Sequence, residues 1–398
     1  MSSNGYIIND FLFNINEDFI EVDYSCNTIS KYILNESLRE YLVSIKEEIG
    51  NYQQKWDIYK KYTNKYEYIN TATNNGTIKY PICSYKPISR SFFKMIEILN
   101  NFDFNFEKNI SSFHLAEGPG GFIEALANYR NNKTDNYYGI TLMDNNSDIP
   151  KWNKISNFMK QNKNIKLLYG PKNDGNLYLN HNLLYFKENY SNKYDFITAD
   201  GGFDYSIDFN KQEENSLNLI FCEVLYALIL QKENGSFVLK IFDIFHKVTL
   251  EILYLLCYFY EKVNIYKPLT SREANSEKYI ICTKFKKKLN YNKIIDKLTK
   301  NFYDLENKKI NNIFKFDLNI YYLNKIQEIN AIFGQQQIEN IMNTINYIKD
   351  TSTNHNEKIN KIKNNNIEKC IKWCIYHGQP INKELINNKE LINNKQLD

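Results

Sequence analysis

A chain of 398 residues is long enough to bury one or two real cores, and with 43% hydrophobic and 15% aromatic residues it is not a disordered polymer. Its net charge of +4 permits a nucleic-acid partner without demanding one, so a local basic patch would matter more than the total. The 32 Tyr and 25 Phe, set among abundant Asn, Lys and Ile and only four Arg, read as the codon bias of an AT-rich genome rather than as an aromatic-driven function.

Residues 1–80 are mixed and polar, with Asn74-Asn75-Gly76 as a turn signal, and are expected to form a helical or irregular N-terminal region. Residues 1–10 are too polar for a signal peptide. From 81 to 290, apolar strands at 113–116, 138–142, 194–199, 236–240 and 279–285 alternate with helical patterns at 122–129, 216–232 and 248–261. Alternation of this kind predicts an α/β domain with a mostly parallel sheet covered on both faces. The 216–232 helix places Leu217, Ile220, Phe221, Val224, Leu225 and Leu228 on one broad face. The most apolar run, 248–260, contains Glu251 and is too short to span a bilayer, so no membrane association is expected. From 291 to 398 the pattern turns helical, with Ile338, Ile341, Met342, Ile345 and Ile348 as a core stripe after Gly334. The tail repeats Lys-Glu-Leu-Ile-Asn-Asn at 383–388 and 389–394, which predicts a frayed helix or disordered end. Seven scattered cysteines show no CxxC spacing, so neither a zinc ribbon nor a disulfide framework is indicated and a reducing intracellular compartment fits.

The most informative stretch is Phe113-His-Leu-Ala-Glu-Gly-Pro-Gly-Gly-Phe122, a strand-like run that ends in a glycine-rich turn before a helix. Backbone without side chains at such a turn lets a ligand approach the main chain and the helix N-terminus. In a parallel sheet, ligands gather at the carboxyl ends of the strands. Asp200 follows one predicted strand, Lys240 ends another, Glu277 opens the last, and Lys94 stands at the head of the α/β region. The five His lie in unrelated contexts, no nucleophile triad appears, and no cluster has metal-ligand spacing, so no metal is expected.

Glu117-Gly-Pro-Gly-Gly-Phe122, Ala199-Asp-Gly-Gly-Phe-Asp204, Gly235-Ser-Phe-Val-Leu-Lys-Ile-Phe-Asp243 and Lys267-Pro-Leu-Thr-Ser-Arg-Glu-Ala-Asn-Ser-Glu-Lys-Tyr279 together resemble the FtsJ/RrmJ-type ribose 2′-O-methyltransferases, and within them the mRNA cap enzymes. The likeness runs over roughly residues 85–287. It implies a Rossmann-like fold with a seven-stranded, mostly parallel sheet, S-adenosyl-L-methionine as cofactor, S-adenosylhomocysteine as product, and a capped mRNA 5′ end as partner. Other capping or transcription enzymes are implied as further partners. It also places a catalytic tetrad on Lys94, Asp200, Lys240 and Glu277, with Glu273 as a competitor for the last position.

That tetrad is chemically reasonable. Methyl transfer from a sulfonium is an in-line displacement, so holding the ribose oxygen in line carries much of the acceleration. A lysine amine can orient the hydroxyl and accept its proton if its own pKa falls. Lys94 would lower the pKa of Lys240, while Asp200 and Glu277 would oppose that; the base role of Lys240 rests on the resemblance.

The resemblance assigns the cofactor to Ser89, Glu117, Gly118, Pro119, Gly120, Gly121, Phe122 and Asp200. It places adenine near 173–177, where Asn176 stands in a position often held by Asp, and Asp174 competes. His114 occupies a usually acidic position and reads better as a hydrogen-bonded core histidine. Arg90, Asn215, Arg272 and Asn275 match substrate-binding positions, and Lys86 extends a basic edge with Arg90 and Lys94. The reading is thus a cap 2′-O-methyltransferase acting on the first transcribed nucleotide. Its rivals are a ribosomal or transfer RNA 2′-O-methyltransferase of the same fold, and an idle RNA-binding subunit of a capping or polyadenylation assembly. AT-rich composition with cap methylation points to a large DNA virus or an AT-rich protist, and so to a cytoplasmic location for a virus that transcribes there and a nuclear one otherwise.

Overall fold

The computed structural model describes residues 5–25, 32–72, 80–143, 152–202, 209–300, 302, 305 and 308–382. The Asn74-Asn75-Gly76 turn, Phe203-Asp204 of the second motif and the tail repeats lie outside the described residues. The strands are β1 (Gly5–Ile7), β2 (Ile20–Ser25), β3 (Ser111–Leu115), β4 (Asn136–Ile140), β5 (Ile165–Leu168), β6 (Tyr194–Ala199), β7 (Gln231–Ile241), β8 (Tyr260–Tyr266), β9 (Lys278–Phe285) and β10 (Lys309–Phe314). The helices are α1 (Glu36–Glu48), α2 (Gln53–Thr63), α3 (Ser91–Asn101), α4 (Gly121–Arg130), α5 (Ser156–Gln161), α6 (Asn180–Tyr190), α7 (Gln212–Leu230), α8 (Lys247–Phe259), α9 (Tyr291–Thr299), α10 (Ile320–Lys349) and α11 (His355–Tyr376).

Eight strands form one sheet in the order β1-β8-β9-β7-β6-β3-β4-β5. β7, β6, β3, β4 and β5 run parallel, and β9 enters antiparallel between β7 and β8. The seven expected strands are present, and β1 adds an eighth by pairing antiparallel with β8. From β3 the chain passes to β4 on one side, while β6 lies on the other. The strand order therefore reverses beside β3, and a crevice opens there at the carboxyl edge.

The central strands are apolar without alternation because both faces are covered: Phe237, Val238 and Leu239 of β7 are fully buried. α7 departs from the single broad face expected of it. Cys222, Tyr226, Ala227, Ile229 and Leu230 are buried as well, because α6, α8, α9 and β10 enclose its outer side. The predicted 248–261 helix stops at Phe259, and Tyr260 begins β8. The 279–285 strand is not the last, since β10 follows and pairs with β2 in a separate two-stranded sheet.

The flanking segments meet each other as well as the core. Ile338, Ile341 and Ile345 of α10 pack with Leu42 and Ile45 of α1 and with Phe245, while Met342 lies at the margin. Gly334 lies inside α10 rather than ahead of it, and a Cβ there would come within 3.2 Å of Leu38 on α1. At the other end, the Ser84 and Asn382 amides donate to the carbonyls of Pro380 and Ile82, which ties the C-terminal segment to the strand-like stretch before α3. The six described cysteines are all buried free thiols.

Trp373 anchors α11: it is fully buried, meets Phe93 edge-on at 5.9 Å and donates its indole N–H to Glu97 at 3.2 Å. Trp373→Ala therefore removes a large packed ring and leaves an acceptor short of a donor, and should cost about 3–5 kcal/mol of unfolding free energy in a urea titration.

Candidate active site

The turn after β3 is built by its glycines and by Glu117. Gly120 has φ 111°, and a Cβ on it would sit 2.5 Å from Ile155. A Cβ on Gly121 would fall 2.1 Å from the Ser89 hydroxyl and 2.2 Å from that of Ser91, so the turn closes onto the segment that opens α3. Glu117 is buried, and its Oε1 accepts the Phe122 and Ile123 amides at 2.5 and 3.3 Å, at the start of α4. Burial, helped by the charge of Asp200, holds its pKa well above the usual carboxylate range. Its Oε2 has no partner among the described residues.

The four tetrad positions converge at the same edge as two ion pairs. Lys94, on α3, meets both carboxylate oxygens of Glu277 at 2.7 and 2.8 Å. Lys240, near the end of β7, donates to the Asp200 carbonyl at 2.6 Å and lies 3.2 Å from its Oδ1. The Tyr279 hydroxyl stands between the pairs, 3.3 Å from Asp200 Oδ1 and 3.4 Å from Glu277 Oε1. Each of the four keeps only 12–16% of its side-chain surface, so the charges act with little solvent screening. Burial works against the charge on Lys240, but Asp200 and Glu277 outweigh it, and its pKa is raised from the ordinary lysine value. Burial likewise opposes ionisation of Glu277, yet Lys94 and Lys240 hold it down to about 2. Glu273 is elsewhere: it pairs with Lys65 at 2.7 Å and accepts from Asn340.

The loop that delivers Glu277 is fastened from below. Lys267 donates to the carbonyls of Asn275 and Glu277 at 2.6 and 3.0 Å, and Ser271 donates to Glu277 Oε1 at 3.0 Å. Burial and the neighbouring Lys278 bring the Lys267 pKa down to about 7. Asn275 uses its Oδ1 to accept from Lys267 and Ser271 at 3.1 and 3.3 Å. Arg90 and Arg272 both turn to Glu67, at 3.0 Å each. Asn215 stands exposed on the first turn of α7, and Lys86 is exposed ahead of α3.

The 174–176 stretch follows β5 and packs on the end of β4. Met143 N–H donates to Asp174 O at 2.8 Å, and a Cβ on Gly175 would come 1.9 Å from the Thr141 carbonyl. Asp174 accepts from Asn176 N–H and Asn182 and meets His181 at 3.0 Å, while Asn176 Oδ1 accepts from Tyr178 N–H. His114 is a core residue, hydrogen-bonded to Ser112 and Thr198 at 2.8 and 2.7 Å, and burial lowers its pKa to about 3.

Sequence reasoning gave no role to Tyr279, although it stood in the fourth motif. It also missed Glu223, whose signal is a lone charge inside the apolar run Leu219-Ile-Phe-Cys-Glu-Val-Leu. Glu223 is fully buried on α7 and accepts the Gly201 amide at 3.1 Å, while its Oε2 has no partner among the described residues. Burial lifts its pKa to about 8. A folded pKa above the unfolded one stabilises fully below the unfolded value near 4.5, and that contribution is lost as pH rises through about 8. Wild type should therefore lose stability relative to Glu223→Gln between about pH 5 and pH 8, read as a fall of its urea midpoint relative to that of the variant; a difference that does not change with pH would contradict the assignment.

Comparison with known proteins adds the family. The sequence profile of the FtsJ-like methyltransferases matches residues 87–285, half of the chain, spanning α3 to β9 and with them all four tetrad positions. A cap-specific mRNA (nucleoside-2′-O-)-methyltransferase of Autographa californica nuclear polyhedrosis virus is 32% identical over 50% of this chain and 74% of that protein. Cap-specific mRNA (nucleoside-2′-O-)-methyltransferase 2 of Danio rerio is 29% identical over 67% of this chain, and methyltransferase 1 of Drosophila melanogaster is 35% identical over 42%. The matches cover only 37% and 21% of those two longer proteins. With its glycine turn, its reversal of strand order beside β3 and a profile match over half its length, the chain belongs to the FtsJ-like methyltransferase family.

Proposed function

We propose that this chain transfers a methyl group from S-adenosylmethionine to the ribose 2′-hydroxyl of the first transcribed nucleotide of an m7GpppN-capped RNA, giving m7GpppNm. The observation that carries this reading is the convergence of Lys94, Asp200, Lys240 and Glu277 in two ion pairs beside one hydroxyl, at the carboxyl edge of the sheet. The cap-specific relatives support the substrate. Such an enzyme works where capped transcripts are processed, in the nucleus or in the cytoplasm, and has the other capping enzymes as natural partners.

The residues present fit the cofactor. The 117–121 turn follows β3, the Ser89 and Ser91 hydroxyls stand at the start of α3 and the 174–176 loop follows β5, and so they surround one end of the crevice. In this reading Gly118, Pro119, Gly120, Gly121 and Phe122 form the floor, Ser89 and Glu117 flank it, and Asp174 and Asn176 shape the wall toward adenine. S-adenosylmethionine, when bound, supplies an electrophilic methyl group on a sulfonium. The chain's own residues hold the acceptor. The Lys240 ammonium directs two of its contacts to Asp200, which fixes the line along which a remaining N–H meets the 2′-oxygen. Lys94 and Glu277 hold the other side of the site, and the Tyr279 hydroxyl keeps the two carboxylates in register. Arg90, Arg272, Asn275 and Asn215 belong to the RNA side.

The raised pKa of Lys240 has a kinetic consequence. If Lys240 takes the ribose proton, its reactive amine is the minor form at neutral pH. The rate should then climb about tenfold per pH unit over roughly pH 7 to 9, and a flat profile would leave orientation as its whole contribution.

The deciding assay is labelled methyl transfer to short RNAs ending in m7GpppA, GpppA or pppA, with nuclease mapping of the product. Transfer to the first nucleotide of capped RNA is expected, falling by about 10³-fold or more in Lys240→Ala while cofactor binding is kept. Transfer to uncapped structured RNA would instead indicate a ribosomal or transfer RNA enzyme, and cap binding without transfer would indicate an idle subunit.

A further inference from the structure

Two arginines border the tetrad, and one carboxylate holds both. Arg90 lies one helical turn before Lys94, and Arg272 lies five residues before Glu277. Arg90 Nη1 donates to Glu67 Oε2 at 3.0 Å, and Arg272 donates through Nε to Oε2 at 3.2 Å and through Nη2 to Oε1 at 3.0 Å. A second Arg90 nitrogen reaches the Thr270 carbonyl at 3.4 Å, which ties it to the loop that carries Arg272. The Glu67 side chain is 1% exposed, whereas those of Arg90 and Arg272 are 26% and 39% exposed. The carboxylate is therefore buried behind its two guanidinium partners. Asn64 and Thr71 also donate to it, at 2.5 and 3.1 Å.

Glu67 does not come from the part of the chain matched by the family profile, which starts at residue 87. It opens the short turn Glu67–Ile69, whose Tyr68 and Ile69 carbonyls accept from the Ile82 and Cys83 amides. α11 packs against that turn and against the end of α2 that leads into it, where Asn366 donates to the Tyr62 carbonyl. The N- and C-terminal flanks thus deliver one fixed negative charge to the back of the cleft.

We propose that Glu67 is a positioning residue for RNA, holding Arg90 and Arg272 as a preformed two-guanidinium clamp for a backbone phosphate next to the methylated nucleotide. A guanidinium has five N–H donors, and each arginine spends two on described partners, so donors remain on both for a phosphate. Holding the two planar forks in place beforehand removes the side-chain ordering that binding would otherwise have to supply. This inference rests on the RNA-methyltransferase reading above.

Charge alone and positioning predict opposite signs. Removing Glu67 adds one positive charge to a phosphate-binding cleft, so a purely electrostatic contribution would tighten RNA binding. Loss of a positioned clamp weakens it. The experiment measures binding of a short fluorescent m7GpppA-capped RNA to the full chain by anisotropy, without cofactor, at about 50 and 200 mM salt. Glu67→Gln is expected to bind about tenfold more weakly at both salts, with the cofactor's affinity unchanged. Tighter or unchanged RNA binding overturns the proposal. Should Glu67→Gln fail to fold, Arg272→Lys decides: it keeps the charge at a part-exposed site but loses the fork, so about tenfold weaker binding supports the clamp and wild-type binding overturns it. Because the readout is binding rather than turnover, a chain that binds capped RNA without methylating it would overturn the enzymatic reading while leaving this comparison decisive.

Discussion

Buried carboxylates that collect donors from the loops at one edge of the sheet are the constraint on which the site depends. Glu97, fully buried on α3, accepts five hydrogen bonds: from Tyr266, the Leu269 amide, the amide and hydroxyl of Thr270, and Trp373. One carboxylate thereby joins the end of β8, the loop that leads to Glu277, and α11. Glu213 does the same after β7, taking the Phe245 and His246 amides and the Thr249 hydroxyl. Glu124 takes the Ile88 amide and the Tyr85 hydroxyl just ahead of Ser89. Loops cannot satisfy their own amides as helices and strands do, so a buried acceptor with several lone pairs is an efficient way to hold an irregular backbone in one shape.

The tetrad sits on this frame as a balance of charges. Two lysines and two carboxylates in a cleft of low exposure neutralise each other, which offsets part of the cost of burying them. The same balance sets the chemistry, since the carboxylates keep Lys240 protonated against its burial. Behind the pairs, Glu117 and Glu223 are held toward their neutral forms by burial and the nearby charge of Asp200. Charge is therefore concentrated on the four groups facing the crevice, and the groups behind them act mainly through hydrogen bonds to the Phe122 and Gly201 amides.

Much of this was legible in the sequence. The five strands read from apolar runs all formed, because strands buried on both faces must be continuously apolar. β5 and β8 were harder, since Lys166, Glu261 and Lys262 interrupt their apolar runs at the margins of the fold. Three of the four motifs put Asp200, Lys240 and Glu277 at strand ends, the separate 89–95 segment put Lys94 at the start of a helix, and parallel topology places such ends at one edge. The partners of those residues were less visible. Arg272 and Asn275 read as groups facing substrate, but one is held by Glu67 and the other by Lys267 and Ser271. Nothing in local pattern links Glu67 to Arg272, 205 residues away.

The sequence by itself determined the alternation of elements, the glycine turn after β3 and the set of charged residues at the sheet's edge, because each depends on local backbone geometry or on strand burial. Tertiary structure alone decided which charges meet. The separation of the tetrad into a Lys94–Glu277 pair and a Lys240–Asp200 pair, the hydroxyl of Tyr279 between them, and the choice of Glu273 for Lys65 rather than for the site all follow from distances across the sheet. So does the use of the flanks: β2 pairs with β10 against α7, α8 and α9, α10 packs against α1, and α11 packs beside Glu67, each joining segments more than 200 residues apart. Periodicity reports that a face is apolar, but only packing selects the face it meets.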